Sequence, residues 1–129
     1  STSGTIVTTN DINAKHIRGN SGALSIAAST GAGTSPSGIT VTGTDMSGVV
    51  ALTTGSSPSI NAVLATITYN TAFLTAPVVV ITPANAATAS LAATQAVWVN
   101  ITTTGFTINT NATAVVSSTA YKWNYVVIQ

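Results

Sequence analysis

Cysteine and glutamate are both absent from the 129-residue sequence, and charge of either sign is scarce. The lack of cysteine excludes disulfides, thiolate catalysis and cysteine-ligated zinc. Charged residues make up 4% of the chain, against about 25% in an average soluble domain. A formal net charge of +1 provides no electrostatic attraction for nucleic acid or for an anionic membrane surface. We therefore expect uncharged partners.

Long hydrophobic runs are absent as well, although 45% of the residues are hydrophobic. Polar residues interrupt each apolar stretch well short of the ~20 residues with which a helix crosses a bilayer, so we expect no membrane insertion. A surface with so few charges has little electrostatic repulsion between copies, and its exposed apolar faces tend to associate. A closed oligomer that buries those faces is the simplest arrangement.

Groups for acid–base or metal chemistry are few, since the chain has two aspartates, Asp11 and Asp45, and one histidine, His16. A general-acid, nucleophilic or paired-carboxylate enzyme needs several such groups to converge on one site. Asp11, Asn13 and His16 lack a spacing specific to a metal ligand set. We expect no enzyme activity, no cofactor and no metal, and we interpret His16 as a solvated side chain.

β-Branched residues dominate the chain, which favours strands over helices. From about Gly38 onward, short apolar segments alternate with turn residues at the spacing of a sandwich or barrel. Segments 39–44 and 48–54 flank a turn and are predicted to form a hairpin. Segments 96–101 and 105–110 are predicted to form a second hairpin.

Three further segments differ in their apolar pattern. Segment 62–69 ("AVLATITY") alternates, which predicts one buried face. The residues predicted to share that face are Val63, Ala65, Ile67 and Tyr69. Segment 77–83 ("PVVVITP") is continuously apolar between prolines, which predicts a central strand covered on both faces. Segment 84–96 lacks the periodic large apolar residues of a helix face and is predicted to be a long loop with room for one helical turn.

The segment "YKWNYVVIQ" (121–129) alternates as a strand with one buried face does. The residues predicted to fill the core between two sheets, or to pack in a trimer, are Tyr121, Trp123, Tyr125 and Val127. The residues predicted to share the opposite face are Lys122, Asn124, Val126 and Ile128. Because that second face is half apolar, we expect it to contact another subunit. The segment is therefore predicted to be an interior strand.

Trp98 alternates with Val97 and Val99, so its side chain points away from theirs. The sequence leaves two interpretations open for it. Trp98 either packs in the core or in an interface, or it is exposed as a platform for a ligand.

The first 35 residues differ from the rest, because isoleucines recur at intervals of five or six with small polar residues between them. Such a segment has too few contacts per residue to bury its isoleucines alone. We therefore predict that Ile12 and Ile17 pack in a trimer of wrapped copies. The linker-like composition of "STGAGTSPSG" (29–38) predicts a stalk and linker at 1–35 and a head domain at 36–129.

Three blocks of the sequence resemble the C-terminal head or tip domains of tailed-bacteriophage tail fibres and related phage structural proteins. They are "GTDMSGVVALTTGSSPS", "TITYNTAFLTAPVVVITPANAA" and "TTTGFTINTNATAVVSSTAYKWNYVVIQ". The N-terminal "GTIVTTNDINAKHIRGNSGALSI" is similar to fibre-shaft sequences that precede such heads. The resemblance implies a trimeric antiparallel β-sandwich knob of jelly-roll or tumour-necrosis-factor-like form, after a short β-structured shaft, on the outside of a virion.

The function that this resemblance implies is attachment to a host cell surface by non-covalent binding of a glycan or protein receptor. No catalytic residue comes with it, and the candidate receptor contacts follow from loop placement alone. They lie in the polar loops 84–95 and 109–118 and present amides or hydroxyls suited to sugar hydroxyls. The candidates are Asn85, Thr88, Gln95, Asn109 and Asn111. The alternative is a purely structural virion trimer, such as a fibre cap or a decoration protein, without a receptor.

Overall fold

The computed structural model describes residues 6–129 and consists of two four-stranded antiparallel sheets that enclose one core. The strands of the first sheet, in spatial order, are β1 (Ser25–Ala28), β4 (Val63–Thr68), β7 (Gly105–Asn109) and β6 (Trp98–Ile101). Those of the second sheet are β2 (Ser37–Gly43), β3 (Ser47–Thr53), β8 (Ala120–Ile128) and β5 (Val78–Pro83). The prediction of an all-β sandwich is thereby confirmed.

Both predicted hairpins are present, since β2 pairs with β3 and β6 pairs with β7. Segment 84–96 is a loop, as predicted, with a single turn of helix, α1 (Ala86–Ala89), and a 3₁₀ turn at Ala93–Gln95. Another 3₁₀ turn, Thr30–Ala32, follows β1. Within residues 6–129 no helix is long and apolar enough to span a membrane.

Strand β8 lies inside the second sheet between β3 and β5, and its residues alternate strictly between buried and exposed. Its buried residues are Tyr121, Trp123, Tyr125 and Val127. The ring of Tyr125 lies 5.7 Å from that of Phe106 on β7, across the space between the sheets. The rings of Tyr121 and Trp123 stack at 5.8 Å. Aromatic side chains from this one strand therefore fill much of the core.

Strand β4 departs from the predicted alternation at its start. Val63 pairs with Asn109 while Ala65 pairs with Ile108, so two residues of β4 oppose one step of β7. This one-residue bulge turns Leu64 inward, and its side chain is fully buried. The prediction that Val63 shares the buried face with Ala65, Ile67 and Tyr69 is therefore wrong for Val63, which is only half-buried.

Strand β5 is an edge strand, which corrects the prediction of a central strand covered on both faces. Val79 is buried against the core, whereas Val78 and Val80 are 62% and 52% exposed. Pro77 and Pro83 lie at the ends of the strand, where the missing N–H groups cost little on a sheet edge. The apolar run of β5 thus has one face that residues 6–129 leave uncovered.

The sandwich begins before residue 36, so the predicted boundary between stalk and head is about ten residues too late. Strand β1 pairs with β4 over its whole length. Leu24 and Ala32 on either side of it belong to the core. The hydrophobic pattern did not predict this strand, because the small residues of "SIAA" give little contrast between its two faces.

Residues 6–24 contain no helix or strand. Ile12 and Ile17 are 59% and 74% exposed in the single chain. Their packing in a trimer, and the shaft to which they were assigned, stay predictions.

Candidate functional site

The first two candidate receptor residues, Asn85 and Thr88, hold helix α1 against β8. Asn85 caps the helix, since its Oδ1 accepts a hydrogen bond from the Thr88 N–H at 2.9 Å, and its Nδ2 donates to the Ala120 carbonyl at 3.0 Å. Thr88 is 2% exposed, and its Oγ1 accepts a hydrogen bond from the Lys122 N–H at 2.7 Å. Thr88 is therefore buried and bonded within the chain, and its receptor contact stays a prediction.

The other three candidates are also engaged inside the chain. Gln95 donates from Nε2 to the Ala114 carbonyl at 3.3 Å, and Asn111 accepts a hydrogen bond from the Thr113 N–H at 3.0 Å. Asn109 is the last residue of β7 rather than a loop residue, and it is 7% exposed. Its loop placement was wrong. For Asn85, Gln95 and Asn111 a receptor contact stays a prediction.

The outer face of the first sheet carries polar, uncharged side chains around one tryptophan. Cross-strand pairing sets Trp98 beside Asn109, and Asn100 beside Thr107, which in turn pairs with Thr66. Residues directly opposite each other in antiparallel strands project from the same side of the sheet. We call this surface the Trp98 face and define it by Thr66, Thr68, Trp98, Asn100, Thr107 and Asn109.

Trp98 is 53% exposed on this surface, which excludes packing in the core of this chain and leaves an interface or a ligand platform as its role. Its neighbour Asn109 is held in place, because the Asn109 Nδ2 donates to the Thr107 Oγ1 at 2.8 Å. The amide of Asn100 is exposed. The Trp98 face therefore combines an exposed indole with a free amide about two residues, or roughly 6.6 Å, along β6.

Next to Asn100 the Trp98 face deepens into a groove of about 180 Å³. Gly105 lies opposite Thr68, and a side chain at Gly105 would collide with the Ile67 carbonyl. The absence of that side chain lets β7 approach the backbone of β4 closely beside the groove. The polar residues that line the groove are Thr66, Thr68, Asn100, Thr102, Thr104 and Thr107. The groove thus presents hydroxyls and an amide but no charge.

The outer face of the second sheet is different, because its β5–β8 corner is aliphatic. Pairing places Val78 beside Ile128 and Val80 beside Val126. These four side chains are 62%, 62%, 52% and 45% exposed, respectively. We call them the Val80 patch. An exposed aliphatic cluster of this kind is typical of surfaces that contact another molecule.

An apolar cleft of about 230 Å³ lies near α1, between β5 and the loop that leads to β6. Ile81, Leu91, Val97 and Trp123 are among the residues that line it. Its hydroxyl, that of Thr88, already accepts a backbone hydrogen bond. The cleft therefore offers little to orient a polar ligand.

Asp45 links the two sheets. It lies in the turn between β2 and β3 and is 6% exposed. Its carboxylate accepts hydrogen bonds from the N–H groups of Asn70, at 2.7 Å, and Thr71, at 3.0 Å, which follow β4. The Asp45 N–H donates to the Ser21 Oγ at 2.7 Å. The carboxylate that the sequence offered to catalysis is thus a structural tie between layers.

Two tyrosines near this tie titrate abnormally. Burial, and secondly the negative charge of Asp45, raises the pKa of Tyr69 to about 12. Burial, then the charge of Asp45 and lastly that of Tyr69, raises the pKa of Tyr125 to about 12. The Tyr125 hydroxyl donates to the Thr44 carbonyl at 2.7 Å, whereas the buried Tyr69 hydroxyl has no partner in the described part of the chain.

Across residues 6–129, no three His, Cys, Asp or Glu side chains cluster to hold a metal ion. No protein-family model matches the chain, and no curated protein or solved structure matches it either. The features of the chain that bear on its function are the two outer faces of the sandwich and the three sequence blocks that resemble fibre tips.

Proposed function

We propose that this chain is the distal tip of a bacteriophage tail fibre, on the outside of the virion, and that it attaches the particle to the host cell surface without catalysing a reaction. The sequence blocks that resemble such tips support the assignment. The β-sandwich is compatible with a knob of jelly-roll or tumour-necrosis-factor-like form. The shaft in this proposal is the segment that precedes β1.

Three copies associate through the second sheet in this proposal. The Val80 patch is aliphatic and lies partly on the edge strand β5. Lys122 is the only charged residue of that sheet's strands, so charge repulsion between copies is weak. The number three comes from the resemblance to trimeric tips, and the packing of Ile12 and Ile17 along the axis belongs to the same proposal.

The observation that carries the proposal is the contrast between the two outer faces. The Val80 patch and the Trp98 face lie on opposite layers of one sandwich. Association through the first leaves the second free. A particle built in this way displays three copies of a polar binding surface, and weak contacts from three copies combine through avidity.

The test is the binding of the purified chain, with an N-terminal fluorescent tag, to a panel of intact bacterial strains. We expect it to bind some strains and not others. The control is Val80→Lys, which places a charge in the patch and should yield a folded single chain. Because avidity contributes about 10²–10⁴-fold, the variant should bind the same strains at least about 100-fold more weakly.

A different result would contradict receptor attachment. If the folded wild-type trimer binds none of the strains, the alternative of a purely structural virion trimer is favoured. If wild type and Val80→Lys bind equally well, the trimer plays no part in attachment.

A further inference from the structure

We infer that the Trp98 face is the receptor site and that its ligand is a neutral oligosaccharide, laid along β6 from the indole of Trp98 to the groove above Gly105. The inference rests on the proposed attachment function and gives it a location and a ligand class. It also moves the receptor contact from the loops at 84–95 and 109–118 to the face of a sheet.

Trp98 is much more exposed than the other tryptophan of the chain. The chain contains two tryptophans, and Trp123 is 2% exposed while Trp98 is 53% exposed. The core accommodates large aromatic side chains such as that of Trp123. Trp98 is therefore not exposed merely because the fold has no room for a tryptophan. An indole is amphipathic and rigid, and it suits a ligand that is apolar on one side and polar on the other. A pyranose ring has this character, with C–H groups on its face and hydroxyls on its rim.

Polar, uncharged side chains surround Trp98 on this face of the sheet. Asn100 offers an amide donor and acceptor about 6.6 Å along the strand, and Thr66 and Thr68 offer hydroxyls within the groove. Each of these groups both donates and accepts, as sugar hydroxyls do. Asn109 is already bonded to Thr107, which fixes the surface beside the indole before any ligand arrives and lowers the entropy cost of binding.

The strands that carry the Trp98 face are uncharged, which bears on the kind of sugar that the face would bind. The strands of the first sheet contain no Asp, Glu, Lys or Arg. An acidic sugar would bring a carboxylate without a cation to pair with it, and desolvating an unpaired charge is costly. The face therefore favours neutral sugars over acidic ones.

The experiment uses the two tryptophan indole N–H signals in a ¹H–¹⁵N spectrum of the full 129-residue chain. Trp98→Phe assigns the Trp98 signal. The probes are maltotetraose, cellotetraose and chitotetraose as neutral ligands, and tetragalacturonate as the acidic one. We expect at least one neutral probe to shift the Trp98 signal and leave the Trp123 signal in place, and we expect tetragalacturonate to shift neither.

Three variants measure the contribution of the face. Trp98→Ala and Asn100→Ala should each weaken binding of that probe by at least about tenfold, and Trp98→Phe should retain part of the affinity. The control is Leu74→Ala, which removes an equally prominent apolar side chain, 97% exposed and outside the Trp98 face. Leu74→Ala should bind like the wild type.

The outcomes separate this inference from the attachment function. If the chain binds bacteria, and Trp98→Ala binds them equally well, the inference is wrong and the attachment function stands. If a neutral probe shifts Trp98 but no strain is bound, the site stands and the attachment function is wrong. A shift of the Trp98 signal by tetragalacturonate alone, or by none of the probes, overturns the assignment to a neutral oligosaccharide.

Discussion

The outer faces of the two sheets share a backbone arrangement and differ in their side chains. Each belongs to a four-stranded antiparallel sheet, and each has almost no charge. The first carries threonines and asparagines around Trp98, whereas the second carries the aliphatic Val80 patch. In a chain with so few charges, we propose that the hydroxyl-rich face contacts solvent or a sugar and that the methyl-rich face contacts another copy.

The largest expected change in the free energy of unfolding comes from a substitution in the core that the two sheets share, and it sets the core apart from the outer faces. Trp123→Ala should lower the free energy of unfolding by about 3–5 kcal/mol, because it empties a packed site between the sheets. Trp98→Ala should lower it less, by about 1–2 kcal/mol, because only about half of its side chain is buried. Chemical denaturation of the two variants measures both values. Equal losses would mean that Trp98 is part of the packing and not of a binding face.

The next effect concerns the tie that holds the two layers together. Asp45→Asn weakens the acceptor for the N–H groups of Asn70 and Thr71, and buried hydrogen bonds to a charged group are worth about 2 kcal/mol. We expect a loss of stability of that order in urea unfolding. Asp11→Asn is the matched control, since Asp11 is exposed. A loss of similar size in the control would show that total charge matters and the tie does not.

High pH should destabilise the fold near Asp45, because it ionises the buried hydroxyls of Tyr69 and Tyr125. Tyr69 and Tyr125 have pKa values of about 12 in the folded chain, against 10.0 for an ordinary tyrosine. Because the folded pKa is higher, the unfolded chain loses its protons first. The stability that the two protonated tyrosine hydroxyls contribute is complete below pH 10 and is lost as the pH rises through about 12.

Measurement of the free energy of unfolding from pH 8 to pH 12 checks this sign. Asp45→Asn should retain most of the pH dependence, since burial is the larger cause of both pKa values. Stability that stays level from pH 10 to pH 12 would contradict the burial of these two hydroxyls.

The smallest effect on stability comes from exchanging the chemistry of the faces. Val80→Thr and Thr66→Val should each change the free energy of unfolding of the dissociated chain by less than about 0.5 kcal/mol. Association should respond differently, because Val80→Thr weakens it and Thr66→Val leaves it unchanged. Sedimentation equilibrium of both variants gives the comparison. Weaker association of Thr66→Val would place the subunit contact on the wrong sheet.

The sequence was sufficient to predict those parts of the fold in which local pattern and burial agree. Strand β8 alternates between aromatic and smaller residues, and both hairpins have polar turns between apolar segments. Strand β5 was misread because a continuous apolar run indicates that both faces are covered, but not whether its own chain provides the cover. The bulge at Leu64 has no signal in the sequence, since it depends on the pairing with β7.

The candidate site was less predictable. Alternation indicated the direction of Trp98 relative to Val97 and Val99, but its exposure depends on the outer layer, where no element of the described chain lies. Asn109 was wrongly placed in a loop, since it is the last residue of β7, and the side chains of Thr88 and Asn109 both bond to groups within the fold. Polar residues in loops bind the backbone as readily as a ligand, and the sequence does not distinguish the two.

The measurement that tests the account most directly is the mass of the folded particle in solution at micromolar concentration. With a chain mass of 12.8 kDa, the account predicts a particle of three times that mass for the wild type. It predicts a folded single chain of 12.8 kDa for Val80→Lys. A stable wild-type monomer, or a Val80→Lys variant that still forms the same particle, would contradict the claim that copies of this chain cover the aliphatic face.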